Sequence, residues 1–242
     1  EYDWESPISR HSLERLARGR RLIRYDERGC GLSDWEVGDI SFDAFVRDLE
    51  TVVDAVGLDR FTLYGLSQGC AVSIAYAARH PERISRLVLL NGYVQGRDRR
   101  NNPAEAEKAE ALRTLIRQGW GDEHSALLPA FSAMMIPDAT GDQVRSLAEM
   151  QRRSATAENA MRIRRACDEI DVLELLPMVK APTLVLHSRH DSVAPFEQGR
   201  LVAASIPDAH FISLDSSNHL LLKGEPAWEH CFSEIDRFLA ES

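Results

Sequence analysis

Residues 65–69 of the chain read GLSQG and place Ser67 between two glycines, at the junction of an apolar segment and an alanine-rich one. Residues 60–64 have the aromatic and β-branched content of a short buried strand, and residues 70–80 have the character of a helix. Such a sharp turn holds the serine in a strained backbone conformation that exposes its hydroxyl, and we expect glycine on both sides to let strand and helix approach. The motif therefore predicts a nucleophilic serine rather than a helix cap.

Two further residues complete a hydrolytic triad in the chain order nucleophile, acid, histidine. An apolar run at 182–187 ends in a polar turn that carries Asp191. The alternating segment 210–214 gives way to a loop that carries His219. Because both residues follow predicted strands, we expect Asp191 and His219 to meet Ser67 at the carboxyl edge of one parallel sheet.

The chemistry expected of these residues is that of a serine hydrolase. His219 would take the Ser67 proton during attack on a carbonyl and return it to the leaving group. Asp191 would fix the imidazole tautomer and stabilise the imidazolium. The backbone N–H of Gln68 would donate to the developing oxyanion, helped by the positive end of the following helix.

Two other segments extend the pattern and identify a resemblance. Residues 25–34, YDERGCGLSD, match a D-x-R-G-x-G-x-S loop, and HPER at 80–83 leads into the apolar segment 84–91. With the serine motif, they make the chain similar to α/β-hydrolase-fold serine hydrolases over nearly all of its length. The resemblance implies an α/β fold with a doubly wound, mostly parallel sheet and a helical cap insertion. It also implies that Arg28 holds its loop through buried polar contacts.

The position of the acid has alternatives within this family. Some members carry it after the strand that follows the nucleophile, but Asn91 occupies that place here and cannot provide a carboxylate. Asp26 precedes the nucleophile, and Asp215 lies within the histidine's own strand and loop. Asp191 therefore remains the predicted acid.

The pattern between residues 96 and 170 changes from alternating strands and helices to helices alone. We interpret it as a cap inserted between the two parts of the core, residues 1–95 and 171–242. Since a helical cap forms the apolar roof of a substrate pocket, four of its residues are candidates to line that pocket. They are Trp120, Phe131, Met134 and Met135. The predicted cap helices span residues 104–118, 125–134, 141–153 and 157–167.

The resemblance also predicts that the chain is N-terminally truncated relative to the family. The family begins with a hairpin, a further strand and an oxyanion loop, whereas the first strand predicted here is 20–25, after a helix over 7–18. The second oxyanion donor would then lie upstream of Glu1, unless the backbone of residues 1–4 supplies it. The loss of these strands would expose one edge of the sheet, where association is a hazard.

Charge and composition limit the classes of molecule that the chain is expected to bind. A net charge of −9 argues against direct nucleic-acid binding, which needs clustered Lys and Arg. No apolar run has membrane-spanning length, and no phosphate loop, metal-ligand spacing or other cofactor motif is present. The four cysteines are scattered without a C-x-x-C pair, so reduced thiols and a cytoplasmic location are predicted. The expected partner is a small ester-like molecule, and the sequence leaves the oligomeric state open.

Hydrolysis of a small carboxylic ester or lactone is the predicted reaction. Carbon–carbon hydrolases and cofactor-free perhydrolases share the same triad and remain alternatives. A serine at the turn excludes haloalkane dehalogenases and epoxide hydrolases, which have aspartate there. Residues 23–35, 45–50 and 195–199 also resemble hydrolase-like domains fused to LuxR-type regulators and adenylate cyclases, so a ligand-sensing domain is a further alternative.

Overall fold

A computed structural model of the protein describes residues 2–240. These residues form a four-stranded sheet in which the strands are parallel and lie in chain order. The strands are β1 (Phe61–Leu66), β2 (Ile84–Leu90), β3 (Thr183–Ser188) and β4 (His210–Leu214). The predicted strands at these four places and the parallel sheet are confirmed.

The sheet separates two apolar layers because successive side chains of a strand point to opposite faces. On β2, Leu87 and Leu89 pack in one core cluster, whereas Val88 and Leu90 pack in the other. Both faces are covered, which explains the nearly continuous apolar sequences of the two central strands, β2 and β3.

Ten α-helices are described in residues 2–240. They are α1 (Tyr2–Glu5), α2 (Arg10–Leu16), α3 (Phe42–Val56), α4 (Gln68–Arg79), α5 (Pro103–Gly119), α6 (Leu127–Met135), α7 (Gly141–Ser154), α8 (Ala157–Asp168), α9 (Phe196–Ser205) and α10 (Pro226–Ala240). Helices α3, α4 and α9 pack on one face of the sheet, and α10 packs on the other. Short 3₁₀ turns occur at Arg97–Arg99 and Leu173–Met178.

Local sequence sets several helix ends. The Ser41 hydroxyl accepts a hydrogen bond from the backbone of Ala44 at the start of α3, and Gly57 ends that helix with a left-handed φ of 67°. A reciprocal capping box joins Thr140 and Gln143 at the start of α7. Each of these helix ends is therefore set by residues within or next to the helix itself.

Helices α5–α8 lie between β2 and β3, and their ends differ from the predicted ones by at most two residues. On α10, Trp228, Phe232, Ile235 and Phe238 are all buried, so this helix packs on the sheet through one apolar face.

The predicted strand at 20–25 is wrong, because residues 21–27 have no regular secondary structure. A groove of about 720 Å³ lies beside this segment and is lined by all six residues 20–25 and by residues 61–64 and 66 of β1. Among the described residues, β1 is the edge strand of the sheet, and residues 20–25 pair with no strand beside it. The helix predicted over 7–18 is also shorter, Arg10–Leu16.

Candidate active site

Ser67 lies in the turn between β1 and α4 with φ 56° and ψ −124°. A positive φ is unusual for a residue other than glycine. The turn is fixed on both sides, because the Ser67 N–H donates to the Leu90 carbonyl oxygen at 3.0 Å and the Ser67 carbonyl accepts from the Cys70 N–H at 3.1 Å. The expected strained conformation at the serine is therefore present.

The glycines around the turn do not contribute equally. A Cβ at Gly65 would lie 2.7 Å from the Gly69 carbonyl oxygen and 2.8 Å from the Cys70 Cα, and one at Gly92 would overlap the Cys70 side chain. A Cβ at Gly69 would meet nothing within 4 Å. The expectation that both flanking glycines allow the close approach is therefore wrong for Gly69, which is already part of α4 and projects away from the strand.

Asp191 and His219 form a buried pair. The Nδ1–H of His219 donates to Asp191 Oδ2 at 2.6 Å, and both side chains are fully shielded from solvent. A carboxylate can only accept, so this contact places the proton on Nδ1 and leaves Nε2 as the acceptor nitrogen. Asp191 Oδ1 accepts from the backbone N–H groups of Val193 at 2.7 Å and Ala194 at 3.0 Å. The carboxylate is thus fixed by the turn that follows it.

The other imidazole nitrogen, Nε2 of His219, is buried and has no hydrogen-bond partner among residues 2–240. In particular, it makes no hydrogen bond with the Ser67 hydroxyl. Catalytic hydrogen bonds in ligand-free sites are often long and tighten when substrate binds. An imidazole whose Nδ1–H is bound to a carboxylate is suited to accept a proton on its buried Nε2.

Gln68 begins α4, and no described group accepts a hydrogen bond from its backbone N–H. The first N–H groups of a helix lack intrahelical partners and carry its positive dipole end. The Gln68 side chain is bound on both sides, since Nε2 donates to both Glu27 carboxylate oxygens at 2.8 Å and Oε1 accepts from the Cys167 thiol. Helix α8 and the 25–34 loop are joined in this way beside the serine turn.

Glu27 is a site residue that sequence reasoning missed. Its pKa is raised to about 7, chiefly by burial; the hydrogen bond from Gln68 opposes this effect, and the nearby Asp48 carboxylate adds to it. Glu27 occupies the variable place of the D-x-R-G loop motif. The motif indicates where the loop lies, but it does not reveal what a side chain at that place contacts.

His187 is a second buried histidine beside the pair, at the end of β3. Its Nε2–H donates to the Ala194 carbonyl oxygen at 3.0 Å, and no described residue pairs with its Nδ1. Burial lowers its pKa, so the neutral form is favoured. Because the Ala194 N–H binds Asp191, this histidine supports the turn that carries the acid.

The end of α6 contacts the loops of both the acid and the histidine. The Met135 carbonyl oxygen accepts from the His219 N–H at 2.8 Å, and the Met134 carbonyl oxygen accepts from the Ser192 hydroxyl at 3.0 Å. The helical segment between β2 and β3 therefore lies directly against the Asp191–His219 pair.

The four candidate pocket residues lie in different surroundings. Trp120 packs in a cluster with residues of α5 and α8, and its Nε1–H donates to a main-chain carbonyl between α7 and α8 at 3.0 Å. Phe131 is half-buried, the Met134 side chain is 47% exposed, and Met135 packs against a separate apolar cluster that includes Ile136. The structure thus places Trp120 and Met135 in two different apolar clusters.

The remaining predicted residues have structural contacts. Arg28 forms an ion pair with Asp48 and donates to the Asp39 carbonyl oxygen at 3.1 Å, although it is only partly buried. Cys70, Cys167 and Cys231 are buried free thiols, and Cys30 is half-buried. Tyr2, Asp3 and Trp4 lie in α1, while Glu1 is outside the described residues.

Residues 2–240 contain no group of three or more His, Cys, Asp or Glu residues that could hold a metal ion. In the same part of the chain, no helix has the length and apolar character needed to cross a membrane.

Comparison with known proteins places the chain in a family. A sequence profile described as alpha/beta hydrolase fold matches residues 2–226. The chain belongs to this family. Ser67, Asp191 and His219 of this α/β hydrolase all lie within the matched residues.

Three similar proteins illustrate the range of the family. RutD of Azorhizobium caulinodans, provisionally named a carbamate hydrolase, is 27% identical over 223 residues, 87% of this chain and 78% of that protein. A pyrrolizixenacetamide deacetylase from Xenorhabdus hominickii is 27% identical over 209 residues, 86% of this chain and 77% of that protein. The crystal structure of an enol-lactonase from Burkholderia xenovorans LB400 has a TM-score of 0.76 at 25% identity and covers 99% of this chain and 86% of its own.

Proposed function

We propose that this α/β hydrolase is a serine hydrolase that cleaves a small carboxylic ester or lactone through an acyl-enzyme. The observation that carries the proposal is the buried Asp191–His219 hydrogen bond of 2.6 Å, which leaves Nε2 as an unpartnered acceptor. Ser67 lies in a turn with positive φ at the same carboxyl edge of the sheet. The names of the relatives, which refer to lactone, amide and carbamate chemistry, support reaction at a carbonyl carbon.

In the proposed reaction, Ser67 Oγ attacks the substrate carbonyl carbon as its proton passes to His219 Nε2. The carbonyl electron pair moves to oxygen, where the Gln68 N–H at the start of α4 donates to the oxyanion. Collapse of this intermediate breaks the bond to the alkoxide, which takes the proton from the imidazolium. Water then attacks the acyl-enzyme by the same steps, releasing the acid and restoring Ser67.

Residues 96–170 are proposed to act as the cap of this site. Support comes from the contacts of Met134 and Met135 with the loops of Ser192 and His219, which bring α6 against the acid and the histidine. In this proposal, the half-buried Phe131 and the partly exposed Met134 contribute apolar surface to the substrate pocket. An apolar roof would favour an acyl or ring group over a charged one.

Burst kinetics with p-nitrophenyl esters of increasing acyl length test the proposal. We expect a burst of p-nitrophenol from the wild-type protein and its loss in Ser67→Ala, with an optimal acyl length set by the pocket. A folded wild-type protein that shows no turnover above buffer, and cannot be distinguished from Ser67→Ala, would contradict esterase activity and favour a ligand-sensing domain.

A further inference from the structure

Asn91, the residue after β2, is buried, with no exposed surface, and has a φ of 49°. Asparagine tolerates the left-handed region better than most side chains, but the conformation is still uncommon outside glycine. The backbone is anchored in the sheet, since the Asn91 N–H donates to the Leu186 carbonyl oxygen at 2.9 Å. A polar side chain is therefore held at a fixed place inside the carboxyl edge of the sheet.

The Asn91 carboxamide joins the end of β3 to the loop of the histidine. Its Oδ1 accepts from the Ser188 N–H at 2.7 Å. Its Nδ2 donates to the His219 carbonyl oxygen at 2.7 Å and to the Ser188 hydroxyl at 3.1 Å. Only a side chain with a donor and an acceptor on one planar group can make both main-chain contacts, which an aspartate or a serine cannot.

With this contact, the polar atoms of His219 other than Nε2 are all bound. The N–H donates to Met135, the Nδ1–H donates to Asp191, and the carbonyl oxygen accepts from Asn91. The three partners come from different parts of the chain, so the place of the imidazole is set by several elements at once.

We propose that Asn91 is a positioning residue for His219, which holds the histidine main chain so that the imidazole keeps its place on Asp191. The inference rests on the proposed function of His219 as the general base. It adds a role for the residue at the end of β2 that neither the triad pattern nor the serine turn requires.

Two substitutions distinguish the effect of the Asn91 amide from that of the left-handed backbone. Asn91→Asp keeps the size of the side chain but removes the N–H donor opposite the His219 carbonyl oxygen. Asn91→Gly removes the whole amide and relieves the left-handed backbone. Asn101→Gly is the matched control for that relief, because Asn101 has a φ of 50° but is exposed.

Stopped-flow burst kinetics with a p-nitrophenyl ester separate positioning from folding. The burst amplitude counts working sites, and the burst rate constant reports acylation. We expect both Asn91 variants to acylate about tenfold more slowly, as expected when one buried hydrogen bond is lost. The amplitude and KM should stay close to wild-type values, and Asn101→Gly should leave the rate constant unchanged.

A second readout does not depend on turnover. The Nδ1–H of His219 in its short hydrogen bond to Asp191 should give a low-field proton resonance, assigned by its absence in His219→Ala. We expect this resonance to broaden or shift in both Asn91 variants and to remain unchanged in Asn101→Gly.

The outcomes separate this inference from the proposed function. A wild-type burst rate constant and an unaltered resonance in both Asn91 variants would overturn the positioning role. A reduced burst amplitude with an unchanged rate constant would also overturn it, since only the folded fraction would have changed. Absence of a burst in the wild-type protein would overturn the proposed function instead, and the resonance alone would then decide the role of Asn91.

Discussion

At the scale of single residues, the serine turn combines two constraints that support each other. A residue other than glycine that has left-handed or neighbouring disfavoured backbone angles destabilises the fold by roughly 1–3 kcal/mol. Such a conformation persists only where the surrounding structure fixes it. At Ser67, hydrogen bonds to β2 and within α4 supply that constraint. The absence of a Cβ at Gly65 lets the start of α4 lie against the strand. Strain at the serine and close packing behind it therefore form a single structural feature.

This arrangement predicts different effects of the two glycines of the motif. Gly65→Ala should lower the free energy of unfolding by about 2–3 kcal/mol, because the added methyl group meets backbone atoms that cannot rotate away. Gly69→Ala is the matched control and should cause no loss, since its Cβ has open space and alanine favours a helix. Urea unfolding of both variants measures this difference. Equal losses in the free energy of unfolding would contradict the inference that close packing behind Ser67 requires glycine at residue 65.

Glu27 predicts a pH dependence of stability. Its folded-state pKa of about 7 is above the ordinary value of 4.5, so the protonated form is favoured by folding. The stability that this preference contributes is fully present below pH 4.5 and is lost as the pH rises through 7. Between pH 4.5 and pH 8, the free energy of unfolding of Glu27→Gln should therefore rise relative to that of the wild type by roughly 1–3 kcal/mol. Urea unfolding at both pH values measures this, and identical pH profiles would contradict the shift.

The residues of the proposed triad could be predicted because each follows a recognisable strand in a fixed chain order. Glu27, Asn91 and His187 could not, because their significance depends on contacts across the fold. Glu27 meets Gln68, 41 residues away, and Asn91 meets His219, 128 residues away. Sequence patterns report local periodicity, and they do not report which distant carbonyl a buried amide will reach.

At the scale of elements, helix α8 holds the loop of residues 29–38. Asn159 is 4% exposed, and its Nδ2 donates to the carbonyl oxygens of Gly29 at 3.0 Å and Trp35 at 2.9 Å. Arg162, one turn further along, donates to the Val37 carbonyl oxygen at 3.0 Å. The helical segment is thereby attached to the core loop by side chains that bind main-chain oxygens.

Removing the first of these contacts should loosen the loop. Asn159→Ala leaves two carbonyl oxygens without their donor, and we expect a stability loss of about 1–3 kcal/mol with faster amide hydrogen exchange across residues 29–38. Glu158→Ala, at the exposed neighbouring position on α8, is the control and should change neither. Exchange rates in the loop that match the wild type would show that Asn159 does not hold it.

Helices with signals in their own sequence could be predicted. The strand predicted at 20–25 could not be judged in this way. Side-chain caps begin helices α5, α7 and α8, and α10 has a periodic apolar face in its own sequence. A strand also needs a neighbour, and the apolar content of residues 20–25 says nothing about whether one is present. Among the described residues, β1 is the edge strand of the sheet and residues 20–25 pair with no strand, so the segment forms no ladder.

At the scale of the whole molecule, the parallel sheet brings separate parts of the chain to one edge. The register pairs Leu66 with Leu90, Leu90 with Leu186, and Ser188 with Leu214. The strands therefore end near one another, and the loops of Ser67, Asn91, Asp191 and His219 begin at the same edge. The proposed chemistry depends on this shared edge more than on any single loop.

Covalent labelling tests directly whether Ser67 is a nucleophile activated by His219. An alkyl fluorophosphonate should add once to the wild-type protein, as seen by intact mass, with the adduct mapped by peptide sequencing to Ser67. Ser67→Ala should stay unlabelled, and His219→Ala should label far more slowly. A folded wild-type protein that gains no adduct, or an adduct that persists in Ser67→Ala, would contradict the claim.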